Sequence, residues 1–96
     1  MRILGVVLTD DDLDAIQARC DAASPGPWTS YVEGRDDWGG DDFIRVSEAD
    51  DQPDMYVSRV EAPTIRPAST ADQDFIAAAR QDIPLLLAEV RRLRSA

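Results

Sequence analysis

From Ile76 to Leu93, apolar side chains recur at spacings of three and four. Ile76, Ala79, Ile83, Leu86, Val90 and Leu93 form one continuous a/d register. Phe75 and Leu87 widen the stripe to the breadth of a core-facing helix. In a chain of 96 residues such a helix governs the rest, because its stripe must be covered by the chain's own sheet or by another subunit. The helix is expected over residues 70–94. Thr70 with Gln73 fits a capping box, with Ser69 as the other candidate cap, and Arg91, Arg92 and Arg94 suit the negative end of the dipole. Pro84 interrupts the pattern. It removes the amide that would bond the Arg80 carbonyl, so the helix is expected to be kinked or broken near Asp82.

A second helix is expected over 9–23. The Thr9 hydroxyl can accept from the amide of Asp12, whose carboxylate can reach back, and Leu8 with Leu13 completes a hydrophobic staple. Asp10, Asp11 and Asp12 fill the first turn, and Leu13, Ile16 and Cys20 share one apolar stripe. Ser24-Pro25-Gly26-Pro27 then stops the helix. Three runs rich in aromatic and β-branched residues follow, at 28–33, 43–47 and 55–60, separated by loops at 34–42 and 48–54. Loops of that length cannot hold a crossover helix, so a three-stranded antiparallel meander over 28–61 is expected. Met1 to Val7 offers a fourth strand or a short extension within 1–8, and Ala62 to Ala68, with two prolines, reads as a linker. The fold class is α+β, one domain over 1–96.

Apolar residues make up 44% of the chain, enough for a thin core that a second subunit would reinforce. There is no histidine, which removes the commonest neutral-pH base and metal ligand, and the lone Cys20 excludes an internal disulfide. The apolar opening is short for a signal peptide and no stretch reaches membrane-spanning length, so a cytoplasmic location is expected. Charge is divided unevenly. Residues 9–54 hold 14 acidic residues against 3 arginines, whereas the remainder carries a small positive balance within a net charge of −9. Such a field repels nucleic acid and attracts a basic protein partner.

The aspartate pairs Asp36-Asp37 and Asp41-Asp42, around Trp38 and two glycines, are oxygen-rich, yet their spacing is not that of a calcium loop. Wet, glycine-rich turns also give no carboxyl the burial that general-acid catalysis needs. No catalytic residue, metal site or cofactor is therefore expected. Trp28, opening a strand, is expected in the core. Trp38 either folds back on the sheet or stands exposed as a binding anchor, flanked by Asp36, Asp37, Asp41 and Asp42.

The segments Ala22-Ala23-Ser24-Pro25-Gly26-Pro27-Trp28, Ala71-Asp72-Gln73-Asp74-Phe75-Ile76-Ala77-Ala78-Ala79-Arg80 and Leu85-Leu86-Leu87-Ala88-Glu89-Val90 together resemble the Ead-like small proteins of phage and prophage early regions and similar actinobacterial proteins. The two ends carry the likeness, and the middle between Tyr31 and Pro67 does not. The resemblance implies a mobile-element accessory protein and brings no catalytic residues. The expected function is a non-enzymatic protein that binds a protein partner as a homo-oligomer, with Ile83, Leu86, Val90 and Leu93 as the subunit contact. Two other readings are an acidic charge-mimic inhibitor, of the anti-defence or immunity type, and a small-nucleotide sponge in which arginines such as Arg45 and Arg59 converge on phosphate.

Overall fold

The computed structural model describes residues 7–36, 39–49 and 51–95. Helix α1 spans Asp10–Ala22, and its start is the expected capping box. The amide of Asp12 donates to Thr9 Oγ1 at 3.1 Å while the amide of Thr9 donates to Asp12 Oδ2 at 2.8 Å. These bonds hold the Asp12 carboxyl below its usual range: the backbone donor at Thr9 contributes most and the Thr9 hydroxyl less. Leu13 faces inward and is buried, whereas the rest of α1 is largely exposed.

Strands β1 (Thr29–Tyr31) and β2 (Phe43–Arg45) pair antiparallel, with Ser30 opposite Ile44. The third apolar run departs from the expected meander. Only Met55 bridges to β2, exchanging 2.8 and 2.9 Å backbone hydrogen bonds with Ile44. The chain then turns away into a separate hairpin of β3 (Ser58–Glu61) and β4 (Thr64–Pro67). Residues 62–68 are thus a turn and a strand rather than a linker. Both prolines are compatible with the ladder: Pro63 lies in the turn, and Pro67 pairs with Ser58 at the end of the strand. Of the segment Met1–Val7, residues 1–6 lie outside the described residues.

Helix α2 (Thr70–Ser95) runs through Pro84 unbroken. An interior proline costs about 3 kcal/mol in an exposed helix. Here Ala77 before it and Leu87 after it are both buried, so the two halves are held against the same core. The helix is capped by Ser69 rather than Thr70, since Ser69 Oγ accepts from the amide of Asp72 at 3.1 Å. α2 lies antiparallel to α1. Arg80 Nε donates to the Ser24 carbonyl at 2.8 Å near one end; at the other, Arg91 meets Asp14 at 3.1 Å and Arg94 meets Asp10 at 3.5 Å. The β1–β2 pair packs against α2, and the core is made of Leu13, Val32, Phe43, Ile44, Val46, Ala68, Ala77 and Leu87.

The face that α2 turns inward is not centred on its apolar stripe. Gln73, Ala77 and Leu87 are the buried positions, and Pro84 lies partly buried between them. The stripe from Ile76 to Leu93 is rotated from that centre by roughly a third of a turn. Two glutamines account for the offset. The Gln73 amide nitrogen, only 3% exposed, donates to Ser30 Oγ (2.9 Å), the Tyr31 carbonyl (3.1 Å) and the Phe43 carbonyl (3.2 Å). Gln81 accepts from the amide of Trp28 at 2.8 Å and donates to the Trp28 carbonyl at 3.1 Å, as a neighbouring strand would. Polar groups of the sheet backbone thus select which side of the helix faces them.

Candidate functional site

Because α2 is rotated in this way, apolar side chains remain uncovered along the helical pair. Leu86 is 64% and Leu93 60% exposed, Ile83 is exposed to a lesser degree and Val90 is half-buried. Phe75 extends the strip at the start of the helix. Between the helices the strip runs into a groove of about 430 Å³. Ile16 and Cys20 of α1, with Ala23 at its C-cap, line one side and Ile76, Ala79 and Ile83 of α2 the other, and Trp28 also lines the groove. Arg19 and Arg80 stand at its rim. Trp28 is half-buried, and its indole N–H is shut away from solvent with no acceptor among the described residues. The groove is therefore apolar with a basic rim, a combination suited to holding an apolar side chain.

The acidic residues behave differently from one another. Asp36 Oδ2 accepts from the amide of Val32 at 3.0 Å and from Arg35 Nε at 3.1 Å, and Asp42 Oδ1 accepts from the amide of Glu33 at 2.8 Å. These carboxylates close the loop on itself. Asp41 lies in the same loop and is exposed, while Asp37 and Trp38 lie outside the described residues. Arg35 forks onto Asp74 of α2, Nη1 to Oδ2 at 2.7 Å and Nη2 to Oδ1 at 3.0 Å. That fork, with a smaller contribution from Ser30, holds the Asp74 carboxyl below its usual range, and Asp74 followed by Asp36 raises the Arg35 guanidinium.

Arg45 and Arg59 do not converge. The Arg45 guanidinium carbon lies 5.8 Å from the centroids of both Tyr31 and Phe43, whose rings stack 5.2 Å apart. Its Nε is 3.8 Å from Asp54 Oδ1, close enough for charge compensation but too long for a hydrogen bond. Arg59 stands on the β3–β4 hairpin, 4.0 Å from Asp72. Among the described residues no cluster of cysteine and carboxylates has the geometry of a metal site. Among the described residues no helix is long and apolar enough to cross a membrane.

No protein-family model, curated protein or solved structure matches the chain.

Gln73, Gln81 and Trp28 are the residues that give the groove its shape, and sequence periodicity does not reveal them in that role. Glutamine is an ordinary helix-surface residue, and only the sheet carbonyls it meets distinguish these two. Ile83, Leu86, Val90 and Leu93, singled out by their spacing, do lie together on one side of the helical pair, all four at least partly exposed.

Proposed function

We propose that this chain is a non-enzymatic binding protein of the phage and prophage accessory type, which holds a segment of a protein partner along the uncovered side of α1 and α2. The observation that carries the reading is the continuous apolar strip from the groove at Ile16 and Ile76 to Leu86 and Leu93. Contiguous apolar surface on a small acidic domain marks a contact site, because leaving it in water forgoes about 25 cal/mol per Å². Two antiparallel helices with a groove between them accept a third amphipathic helix, whose apolar residues at i, i+3, i+4 and i+7 would follow the groove. The acidic majority of the surface steers a basic partner towards it. The likeness of both chain ends to Ead-like proteins supports the accessory role, since those ends form this helical pair.

Affinity capture from a host lysate tests the reading when wild type is compared with the Leu86→Glu/Leu93→Glu variant. Both positions are exposed, so the variant keeps its circular dichroism and melting temperature. Proteins retained by wild type and lost by the variant are the expected result. An identical captured set from both refutes the docking face.

A further inference from the structure

The β3–β4 hairpin touches the rest of the described molecule chiefly through the Arg59–Asp72 ion pair. Every residue of both strands is exposed, and neither strand packs against another helix or strand among the described residues. An isolated two-stranded hairpin is marginal in water, and three or more strands with an apolar face are normally needed for stability. The hairpin has such a face. Val60 and Ile65 are directly opposite each other, 77% and 71% exposed. On the other face Arg59 is opposite Arg66 and lies 4.0 Å from Asp72, while Glu61, opposite Thr64, pairs with Arg66 at 3.1 Å; all four charged side chains are more than half exposed and free to exchange partners.

The two outer edges of this hairpin are not equivalent. The bond from the Ala68 amide to the Val57 carbonyl (2.9 Å) sets the phase of the ladder. Residues 57, 59 and 61 therefore bond inward to β4, while Ser58 and Val60 direct their amides and carbonyls outward. On β4 the outward positions are Ile65 and Pro67, and proline has no amide to offer. β4 is thus blunted, and β3 presents an open edge with alternating donors and acceptors.

We infer that β3 is a self-recognition strand, pairing antiparallel with β3 of a second copy across a two-fold axis at Val60. Charge selects this register. With Val60 opposite Val60 of the second copy, Arg59 of each chain faces Glu61 of the other, giving two opposite-charge pairs at closely spaced positions. A two-residue slip that places Arg59 opposite Arg59 sets like charges face to face. The favoured register also aligns Ile65, Val60, Val60 and Ile65 in one row across four strands, so the two-residue apolar row of each hairpin becomes a row of four. The two copies exchange hydrogen bonds between their Val60 amides and carbonyls. This inference deepens the binding reading by naming the contact between copies, and it leaves the helical strip open for the partner.

A charge-swap series read by analytical ultracentrifugation decides it. Arg59→Glu sets a new carboxylate against Glu61 of the other copy, and Glu61→Arg sets a new guanidinium against Arg59. Each single variant should weaken self-association on the order of tenfold relative to wild type. An equimolar mixture of the two single variants restores both opposite-charge pairs in a heterodimer, and the Arg59→Glu/Glu61→Arg double variant restores them in a homodimer. Both should associate as wild type does. Hydrogen exchange at the Val60 amide should slow as wild-type concentration rises. A wild type that stays monomeric throughout, single variants that associate as tightly as wild type, or a mixture no better than its components would each overturn the inference. The Leu86→Glu/Leu93→Glu variant should still dimerise; if it alone loses self-association, the copies meet through the helices instead.

Discussion

Replacing Gln73 by leucine probes the device that orients α2 on the sheet. The side chain is buried and its nitrogen faces three acceptors, but an amide NH2 has two hydrogens. About two net hydrogen bonds are therefore lost, at about 1 kcal/mol each, or roughly 2 kcal/mol in total. Leucine has similar volume and restores some apolar contact, so the cost should not exceed that of a cavity. For a domain of this size about 2 kcal/mol lowers Tm by roughly 8–16 °C. Urea unfolding followed by circular dichroism should show the midpoint falling with an unchanged m-value. Gln73→Glu should cost more, because a carboxylate would face three oxygens. Its pKa in the folded state would be raised, so the penalty should be greatest at neutral pH and diminish as the carboxyl protonates. A loss under about 0.5 kcal/mol for Gln73→Leu would refute the role given to this amide.

Leu13→Ala removes the one fully buried side chain of α1 and should cost about 2–5 kcal/mol in unfolding free energy, against well under 1 kcal/mol for alanine at exposed Leu93. Asp74, Asp12 and Glu89 all have lowered carboxyl pKa values, caused chiefly by Arg35, the Thr9 amide and Arg92 respectively. Their stabilisation is present above the ordinary carboxylate range and is lost as pH falls through the lowered values, so thermal stability should decline below about pH 4. Asp74→Asn should make that decline shallower, as melting curves across pH would show. Gly34 has φ +80° with open space around its α-carbon, so Gly34→Ala should cost about 1 kcal/mol from backbone strain alone, read from the same urea titrations.

Helix starts were legible from local chemistry. Thr9 with Asp12 is a local pattern that needs no tertiary partner to be recognised, whereas at α2 the spacing favoured Thr70 with Gln73 and the cap proved to be Ser69. The β1–β2 pairing was legible as well, because aromatic and β-branched residues flank turn-formers. Three features were hidden. Prolines at 63 and 67 hid β4, since their compatibility depends on which way each ring nitrogen faces in a ladder. Pro84 indicated a kink or a break, and packing on both sides of it keeps the helix continuous. The apolar stripe of α2 identified the helix but not its rotation, which the backbone groups of Trp28, Tyr31 and Phe43 determine by bonding Gln81 and Gln73. The candidate site was legible as a set of residues and illegible as a groove, because its far side comes from Ile16, Cys20 and the C-cap Ala23 of a helix more than fifty residues earlier.

The glutamine that pairs with Trp28 also interrupts the outer edge of β1. A growing sheet needs an edge that offers another edge in turn. Beside β1, the outward peptide groups of Trp28 are taken by the Gln81 side chain, and at Val32 the amide is taken by Asp36 and the carbonyl by the turn amides of Arg35 and Asp36. A side chain ends the ladder there, because nothing lies behind it to continue the pattern. On the other flank β2 is occupied at Ile44 by Met55, and β4 lacks the Pro67 amide. Ser30 on β1 and Ile65 on β4 keep outward peptide groups, but only β3 offers two successive complete positions, Ser58 and Val60, among the described strands. If two copies join through β3 as inferred, the edges left exposed are the interrupted ones, which disfavours further strand addition and fibre growth.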